Sequence, residues 1–255
     1  GSVGTDYGEF MQPQGIGVTP KGDIYVVDTG NHRVQKLKDG NSISFVKTIG
    51  SEGQANNQFF LPRDIAIDKN GNIYICDSAN HRILKFDAEG NPVNSFNGGN
   101  SIGGFGKTNS KFHHPYGLCL DTSGNIYVAD TYNHRIQKFS PTGTHLLTIG
   151  GSFGQKEGEF MFPHDVEVDS ERYIFVIDTS NQRVQKFSST GLYLESYGVS
   201  GKGKGKLMDP NKGAIDGNGK LYVIDSTGGK FEVFSVATYI TDIFAAPTLF
   251  SPNNS

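Results

Sequence analysis

Residues 126–139 read IYVADTYNHRIQKF, two apolar runs on either side of a polar corner. The first run is rich in β-branched and aromatic residues and ends at Asp130. The corner Thr131-Tyr132-Asn133 follows, and the second run begins after His134. Short runs of this composition, separated by polar turn residues, predict two antiparallel strands joined by a tight corner.

The same arrangement recurs along the chain, marked by a proline and, 15 residues later, an aspartate. The five pairs are Pro13 and Asp28, Pro62 and Asp77, Pro115 and Asp130, Pro163 and Asp178, and Pro210 and Asp225. Successive copies are spaced by 49, 53, 48 and 47 residues. A nearly constant period of this size predicts a repeat architecture.

Each copy contains four short strands, and both faces of each strand are largely apolar. One small sheet cannot bury both of its faces, so copies must stack around an axis. We therefore predict an all-β propeller of four-stranded antiparallel blades over residues 1–246, either five-bladed or six-bladed with one blade missing. The predicted blades are 10–49, 59–96, 112–149, 160–197 and 207–244. Residues 247–255 form a C-terminal tail that resembles the start of a further repeat.

Composition narrows the possible functions. The chain of 255 residues has a formal net charge of −3, 34 glycines and no tryptophan. It contains no apolar run long enough to cross a membrane, so we expect no membrane insertion. The two cysteines, Cys76 and Cys119, lie inside strand-like runs and are expected to be small buried hydrophobic residues.

Four of the copies carry a recognisable corner motif. It reads DTGNHR at 28–33, DSANHR at 77–82, DTYNHR at 130–135 and DTSNQR at 178–183. These motifs and the strands before them resemble the NHL repeat family of β-propellers. The fifth copy departs from the pattern, with Gly228, Gly229 and Lys230 at the positions of Asn, His and Arg.

The repeated corner residues are expected to be structural. A carboxylate beside a tight corner can accept backbone N–H bonds, and the arginine five residues later can pair with it. A blade needs the same corner each time, whereas a single ligand does not. We extend this interpretation to the corner histidines His32, His81 and His134.

Positions that differ between copies are better candidates for a binding site. The first residue after each proline and the residue after it begin the innermost strand, so we expect them to surround one mouth of the central channel. A mixed polar ring there can bind a small polar ligand, a glycan, a peptide or a protein partner. The candidate ligand-binding residues are Gln14, Arg63, Asp64, Tyr116, His164, Asp165, Asn211 and Lys212.

Glu167 is an anomaly, because the equivalent residues are Gly17, Ala66, Cys119 and Ala214. A carboxylate buried at this position needs a cation or a proton, and burial raises its pKa unless it is paired. If a metal such as calcium or zinc binds, the candidate ligands are His164, Asp165 and Glu167. The alternative is a strand irregularity near Glu171 and Arg172, where the usual Gly-Asn turn is absent.

The family resemblance implies three kinds of function. It includes a zinc-dependent peptidyl-hydroxyglycine amidating lyase, whose Pro-His strand opening is similar to Pro163-His164 here, and RNA-binding domains of tripartite-motif proteins. It also includes sensor domains. We expect a monomeric, non-catalytic, extracytoplasmic or secreted recognition propeller without a cofactor. A metal-dependent lyase or lactonase-type hydrolase is the first alternative, and single-stranded RNA binding is the second, disfavoured by the negative net charge.

Overall fold

The computed structural model describes residues 2–236, which form a five-bladed β-propeller, as the sequence predicts. Four blades are four-stranded antiparallel sheets, and the described part of the fifth has three strands. Strand order within each blade follows the chain. Among these residues, no helix is long and apolar enough to span a bilayer.

The strands are numbered in chain order. Blade 1 contains β1 (Gly15–Val18), β2 (Asp23–Asp28), β3 (Arg33–Lys38) and β4 (Ser44–Ile49). Blade 2 contains β5 (Pro62–Ile67), β6 (Ile73–Asp77), β7 (Arg82–Phe86) and β8 (Ser101–Gly103). Blade 3 contains β9 (Pro115–Leu120), β10 (Ile126–Asp130), β11 (Arg135–Phe139) and β12 (His145–Gly150).

Blade 4 contains β13 (Pro163–Val168), β14 (Ile174–Asp178), β15 (Arg183–Phe187) and β16 (Tyr193–Tyr197). A short parallel pair, β17 (Val199–Ser200) and β18 (Lys206–Leu207), leads to the fifth blade. Blade 5 contains β19 (Pro210–Ile215), β20 (Lys220–Asp225) and β21 (Lys230–Ser235).

One predicted boundary differs from the structure. The last strand of blade 2 is β8, beyond the predicted end at residue 96. Residues 87–100 instead make a turn at Asp87–Gly90 and a second turn that closes at Phe96. The predicted last strand of blade 5 and the tail 247–255 lie outside the described residues.

The core lies between blades. Four apolar clusters each join one blade to the next. In the first, Ile65 of blade 2 packs with Tyr25 and Val27 of blade 1. Cys76 and Cys119 are buried in the second and third clusters, which confirms their predicted role as small core residues.

Blades 5 and 1 do not share such a cluster within residues 2–236. Ile16 of blade 1 is 68% exposed, whereas its equivalent Ile65 is 5% exposed. On the other side, Ile224 and Phe231 of blade 5 are 53% and 65% exposed. The described ring therefore has four packed blade interfaces and one open side.

The repeated aspartate organises each corner. Asp130 is fully buried, and its carboxylate accepts hydrogen bonds from the His113 N–H and the Arg135 Nε, both at 2.7 Å. The Asn133 amide also donates to it, and Arg135 donates to the backbone carbonyl of Lys111. The predicted structural role of this group is confirmed, and Asp28, Asp77 and Asp178 make equivalent bonds.

The corner histidines link neighbouring blades. His81 has a left-handed backbone, and its Nδ1 accepts the backbone N–H of His114 in the next blade at 3.0 Å. His32 and His134 accept from Leu61 and Phe162 in the same way. The predicted structural use of these imidazoles is confirmed, and their Nδ1 atoms are occupied.

Replacing Asp130 with alanine should strongly destabilise the protein. The substitution leaves the Arg135 guanidinium buried without its partner, which costs about 3–5 kcal/mol. Thermal and urea unfolding followed by tyrosine fluorescence measures the loss. The control is Asp39→Ala, at an exposed aspartate whose one hydrogen bond within residues 2–236 comes from the Gly40 N–H, and it should change the free energy of unfolding by about 0.5 kcal/mol or less. Equal effects of the two substitutions would contradict the corner assignment.

Candidate functional site at the channel mouth

The first residues after the five prolines meet at one cavity. Its volume is about 460 Å³, within the range of small-molecule pockets. The lining residues are Pro13, Gln14, Arg63, Tyr116, His164, Asn211, Lys212, Ile224 and Ser226. All five predicted residues of the first ring position thus line a common cavity, because each lies at the start of the innermost strand of its blade, as its second residue or, for Gln14, just before it.

These five side chains contact one another in blade order. The Arg63 Nη1 donates to the Gln14 Oε1 at 2.8 Å, and the guanidinium carbon lies 3.9 Å from the centre of the Tyr116 ring. The Tyr116 and His164 ring centres are 5.0 Å apart. The His164 Nδ1 lies 2.6 Å from the Asn211 Oδ1. The five side chains therefore form a continuous arc of polar and aromatic groups.

The hydrogen bonds of Asn211 identify the tautomer of His164. The Asn211 amide nitrogen donates to the Ser226 Oγ and to Asp209, so its Oδ1 is the acceptor and the His164 Nδ1 is the donor. Burial lowers the pKa of His164, with a smaller contribution from the Arg63 charge. Neutral His164 consequently has an acceptor at Nε2.

The second ring position forms the floor below this arc. The Lys212 Nζ lies 2.6 Å from the Asp64 Oδ2 and 3.3 Å from the Asp165 Oδ1. The two carboxylates also accept the backbone N–H groups of Leu118 and Gly213. Asp64 and Asp165 are almost fully buried, so they hold the lysine and neighbouring strands instead of facing the cavity.

Two glycines make room for this floor. Gly15 and Gly117 stand at the equivalent positions in blades 1 and 3. A Cβ at Gly117 would collide with the Asp165 carboxylate, and one at Gly15 would come within 2.9 Å of the Asp64 backbone. The alternation of glycine and aspartate therefore lets charged side chains occupy the channel axis.

Glu167 lies beside this charged group, on β13. Burial raises the pKa of Glu167 well above its ordinary value, and the Asp165 carboxylate raises it further, while Lys212 opposes the shift. Burial also raises the pKa of Asp165 to about 6, against the opposing charge of Lys212. Glu167 is partly buried, and the upward direction of its pKa shift is the one that the sequence predicts for a buried carboxylate. Glu167 pairs in register with Phe175, so its placement does not arise from a local slip of the strand.

The three candidate metal ligands do not converge. His164 is directed to Asn211 at the mouth, whereas Asp165 is bonded to Lys212 in the floor. No group of three or more His, Cys, Asp or Glu side chains in the described residues could hold a metal ion.

An aromatic surface beside the mouth was not predicted from the sequence. Tyr132 is 42% exposed and lies between the rings of Tyr116, His113 and Phe162, with centroid distances of 5.1–6.1 Å. The sequence does contain a signal for this surface, because the other NHL-type copies have the small residues Gly30, Ala79 and Ser180 at this corner position. Tyr132 therefore extends the nonrepeated surface outward from the cavity.

The fold and this mouth define a β-propeller whose repeated residues build the scaffold and whose variable residues line one end of the channel. The NHL repeat family matches residues 10–37, 61–86, 112–139 and 160–187. Blades 1 to 4 of this propeller are therefore NHL repeats.

Known proteins share with this chain either a short sequence segment or the fold. The E3 ubiquitin-protein ligase TRIM71 of Xenopus tropicalis is 48% identical over 44 residues, which is 17% of this chain and 5% of that protein. This chain therefore spans only a small part of that relative. A streptogramin B lyase structure matches with a TM-score of 0.61 and 16% identity over 89% of this chain and 70% of the other. A nidogen/laminin complex structure matches with a TM-score of 0.64 and 16% identity, over 88% of this chain and 76% of the other. At these identities the structural matches show the fold alone.

Removing the charge of Glu167 should stabilise the protein at high pH. Its folded-state pKa is raised above 4.5, so its stabilising contribution is complete below the unfolded pKa and is lost as the pH rises through the folded pKa. Over that interval the wild type loses up to about 1.4 kcal/mol per pH unit at this site, and Glu167→Gln does not.

Unfolding measurements between pH 5 and pH 9 test this difference. Glu167→Gln and the wild type should be similar near pH 5, and the variant should be increasingly more stable at higher pH. Glu171→Gln, at an exposed residue of the same blade, is the matched control and should follow the wild type. A Glu167→Gln curve parallel to the wild type throughout would show that this carboxyl is not perturbed by burial.

Proposed function

We propose that this protein is a non-catalytic recognition propeller, and that it binds a small polar ligand, or a polar segment of a partner, at the channel mouth. One observation carries the proposal: the five nonrepeated side chains after the prolines line a common cavity of about 460 Å³. The repeated polar side chains are already bonded within the scaffold. The variable ring is thus the part of the molecule whose chemistry the fold does not prescribe.

The ring offers several kinds of hydrogen-bonding group. Asn211 and Gln14 contribute amides, Ser226 a hydroxyl, and Arg63 a guanidinium. Amides and hydroxyls can both donate and accept hydrogen bonds, which suits hydroxylated or peptide-like ligands. Tyr116 adds an aromatic surface next to these groups. This combination supports recognition of a small polar molecule better than chemistry by a single activated group.

A metal-dependent lyase or hydrolase receives less support from the same residues. The His164 Nδ1 is bonded to Asn211, and both floor aspartates are bonded to Lys212 and backbone N–H groups. A metal would therefore have to displace existing bonds at each predicted ligand. Native mass spectrometry before and after EDTA should give the same mass for the purified chain. Stoichiometric loss of a metal on EDTA treatment would instead favour the enzyme alternative.

A ligand screen by ¹H–¹⁵N NMR tests the proposed site. Compounds that bind, whether neutral or charged, should shift the amide signals of Tyr116, His164 and Asn211. His164→Ala and Arg63→Ala should each weaken binding about tenfold or more, because each removes a polar contact at the mouth. Both variants should keep the free energy of unfolding within about 1 kcal/mol of wild type.

Two substitutions of the same residue types provide controls. They are His145→Ala and Arg172→Ala. His145 lies on the outer strand β12, and Arg172 lies in the turn between β13 and β14. Neither residue lines the cavity, so neither substitution should affect binding. Ligands that shift signals elsewhere, or whose affinity does not respond to His164→Ala and Arg63→Ala, would refute the mouth as the binding site.

A further inference from the structure

The two basic residues at the mouth differ in their ionic partners. Lys212 is paired with the two carboxylates of Asp64 and Asp165. Arg63 donates to the neutral Gln14 and stacks on Tyr116. Within residues 2–236, no carboxylate oxygen lies within 4.0 Å of an Arg63 nitrogen, whereas each corner arginine of the first four blades has such a partner.

The positive charge of Arg63 affects its neighbours. Burial is the main cause that lowers the pKa of His164 and of His114, and the Arg63 charge lowers both further. The same charge also lowers the pKa of Tyr116, against the larger effect of burial. Tyr116, His164 and His114 therefore experience the charge of the Arg63 guanidinium, which forms no ion pair within residues 2–236; at His164 the Asp209 carboxylate acts in the opposite direction.

The guanidinium is also held in place before any ligand binds. Contact with the Tyr116 ring and the bond to Gln14 position it at the cavity wall. A guanidinium has five N–H donors, and the bond to Gln14 uses one of them. The remaining donors match the planar geometry of a carboxylate. Positioning in advance lowers the conformational cost of binding.

We infer that the mouth selects a small ligand that carries a carboxylate, and that Arg63 binds this group. This inference rests on the proposed function of the mouth. Arg63 forms no ion pair within residues 2–236, whereas Lys212 is already paired with two carboxylates, so the mouth offers one free cation and fits a carboxylate monoanion better than a phosphate dianion. Gln14, Asn211 and Ser226 then contact the polar body of the ligand.

Matched pairs of acidic and neutral probes test the selection. The pairs are D-glucuronate with D-glucose, and N-acetyl-L-alanine with N-acetyl-L-alaninamide, titrated into the protein and followed by NMR. We expect the acid of at least one pair to bind about tenfold tighter than its neutral partner, the effect of one charge-assisted contact. Glucose 6-phosphate serves as the dianion, and tighter binding of this probe than of glucuronate would overturn the carboxylate assignment.

Substitutions identify the group responsible. Arg63→Gln should abolish the preference for the acid, and Arg63→Lys should retain part of it, since the charge remains but the planar fork is lost. Arg172→Gln is the control and should leave the preference unchanged. The preference should also weaken as sodium chloride is raised from about 0.05 M to about 0.5 M, because salt screens an exposed charge.

The outcomes separate this inference from the proposed function. If neutral probes shift the mouth signals while their acids gain nothing, the carboxylate selection is wrong and the mouth remains a binding site. An acid preference that survives Arg63→Gln also overturns the role of Arg63. If no compound in the screen and none of these probes shifts the mouth signals, both the inference and the proposed function fail.

Discussion

The buried carboxylate of each blade corner is the interaction on which the rest of the structure depends. The Asp130 carboxylate accepts hydrogen bonds from a backbone N–H, an asparagine amide and an arginine. It therefore joins the loop before the blade to the second and third strands. Without these partners a fully buried charge would be costly. The fifth blade illustrates this constraint, since Asp225 keeps its backbone N–H donors although Lys230, in place of the arginine, pairs with Glu232.

The repeated polar groups are bonded within the scaffold, so the positions that vary between blades are the ones available for function. The corner histidines connect blades, and the corner arginines hold loops, so the motif that identifies the family is largely unavailable to a ligand. The first residues after the prolines carry no such duty. Each blade can therefore supply a different side chain to the mouth without loss of the fold.

The floor of the mouth shows how a repeat fold accommodates charge at its axis. Lys212 of blade 5 reaches the aspartates of blades 2 and 4, and glycine in blades 1 and 3 leaves the space. This group also connects blade 5 across the channel, in a ring that has no apolar cluster between blades 5 and 1 within residues 2–236. Arg63, in contrast, is a cation at the mouth that forms no ion pair within residues 2–236.

The amino-acid sequence by itself determined the propeller, the blade corners and the positions that form the mouth, because each depends on local turns and on a period repeated five times. The exceptional character of Glu167, a carboxylate where the equivalent residues are small, was also visible in the sequence. Only the tertiary structure decided that Asp64 and Asp165 bind Lys212, that His164 bonds to Asn211, and that Tyr132 extends the mouth. These contacts join residues from different blades, and the distances between blades depend on how whole sheets pack around the axis, which no local pattern encodes.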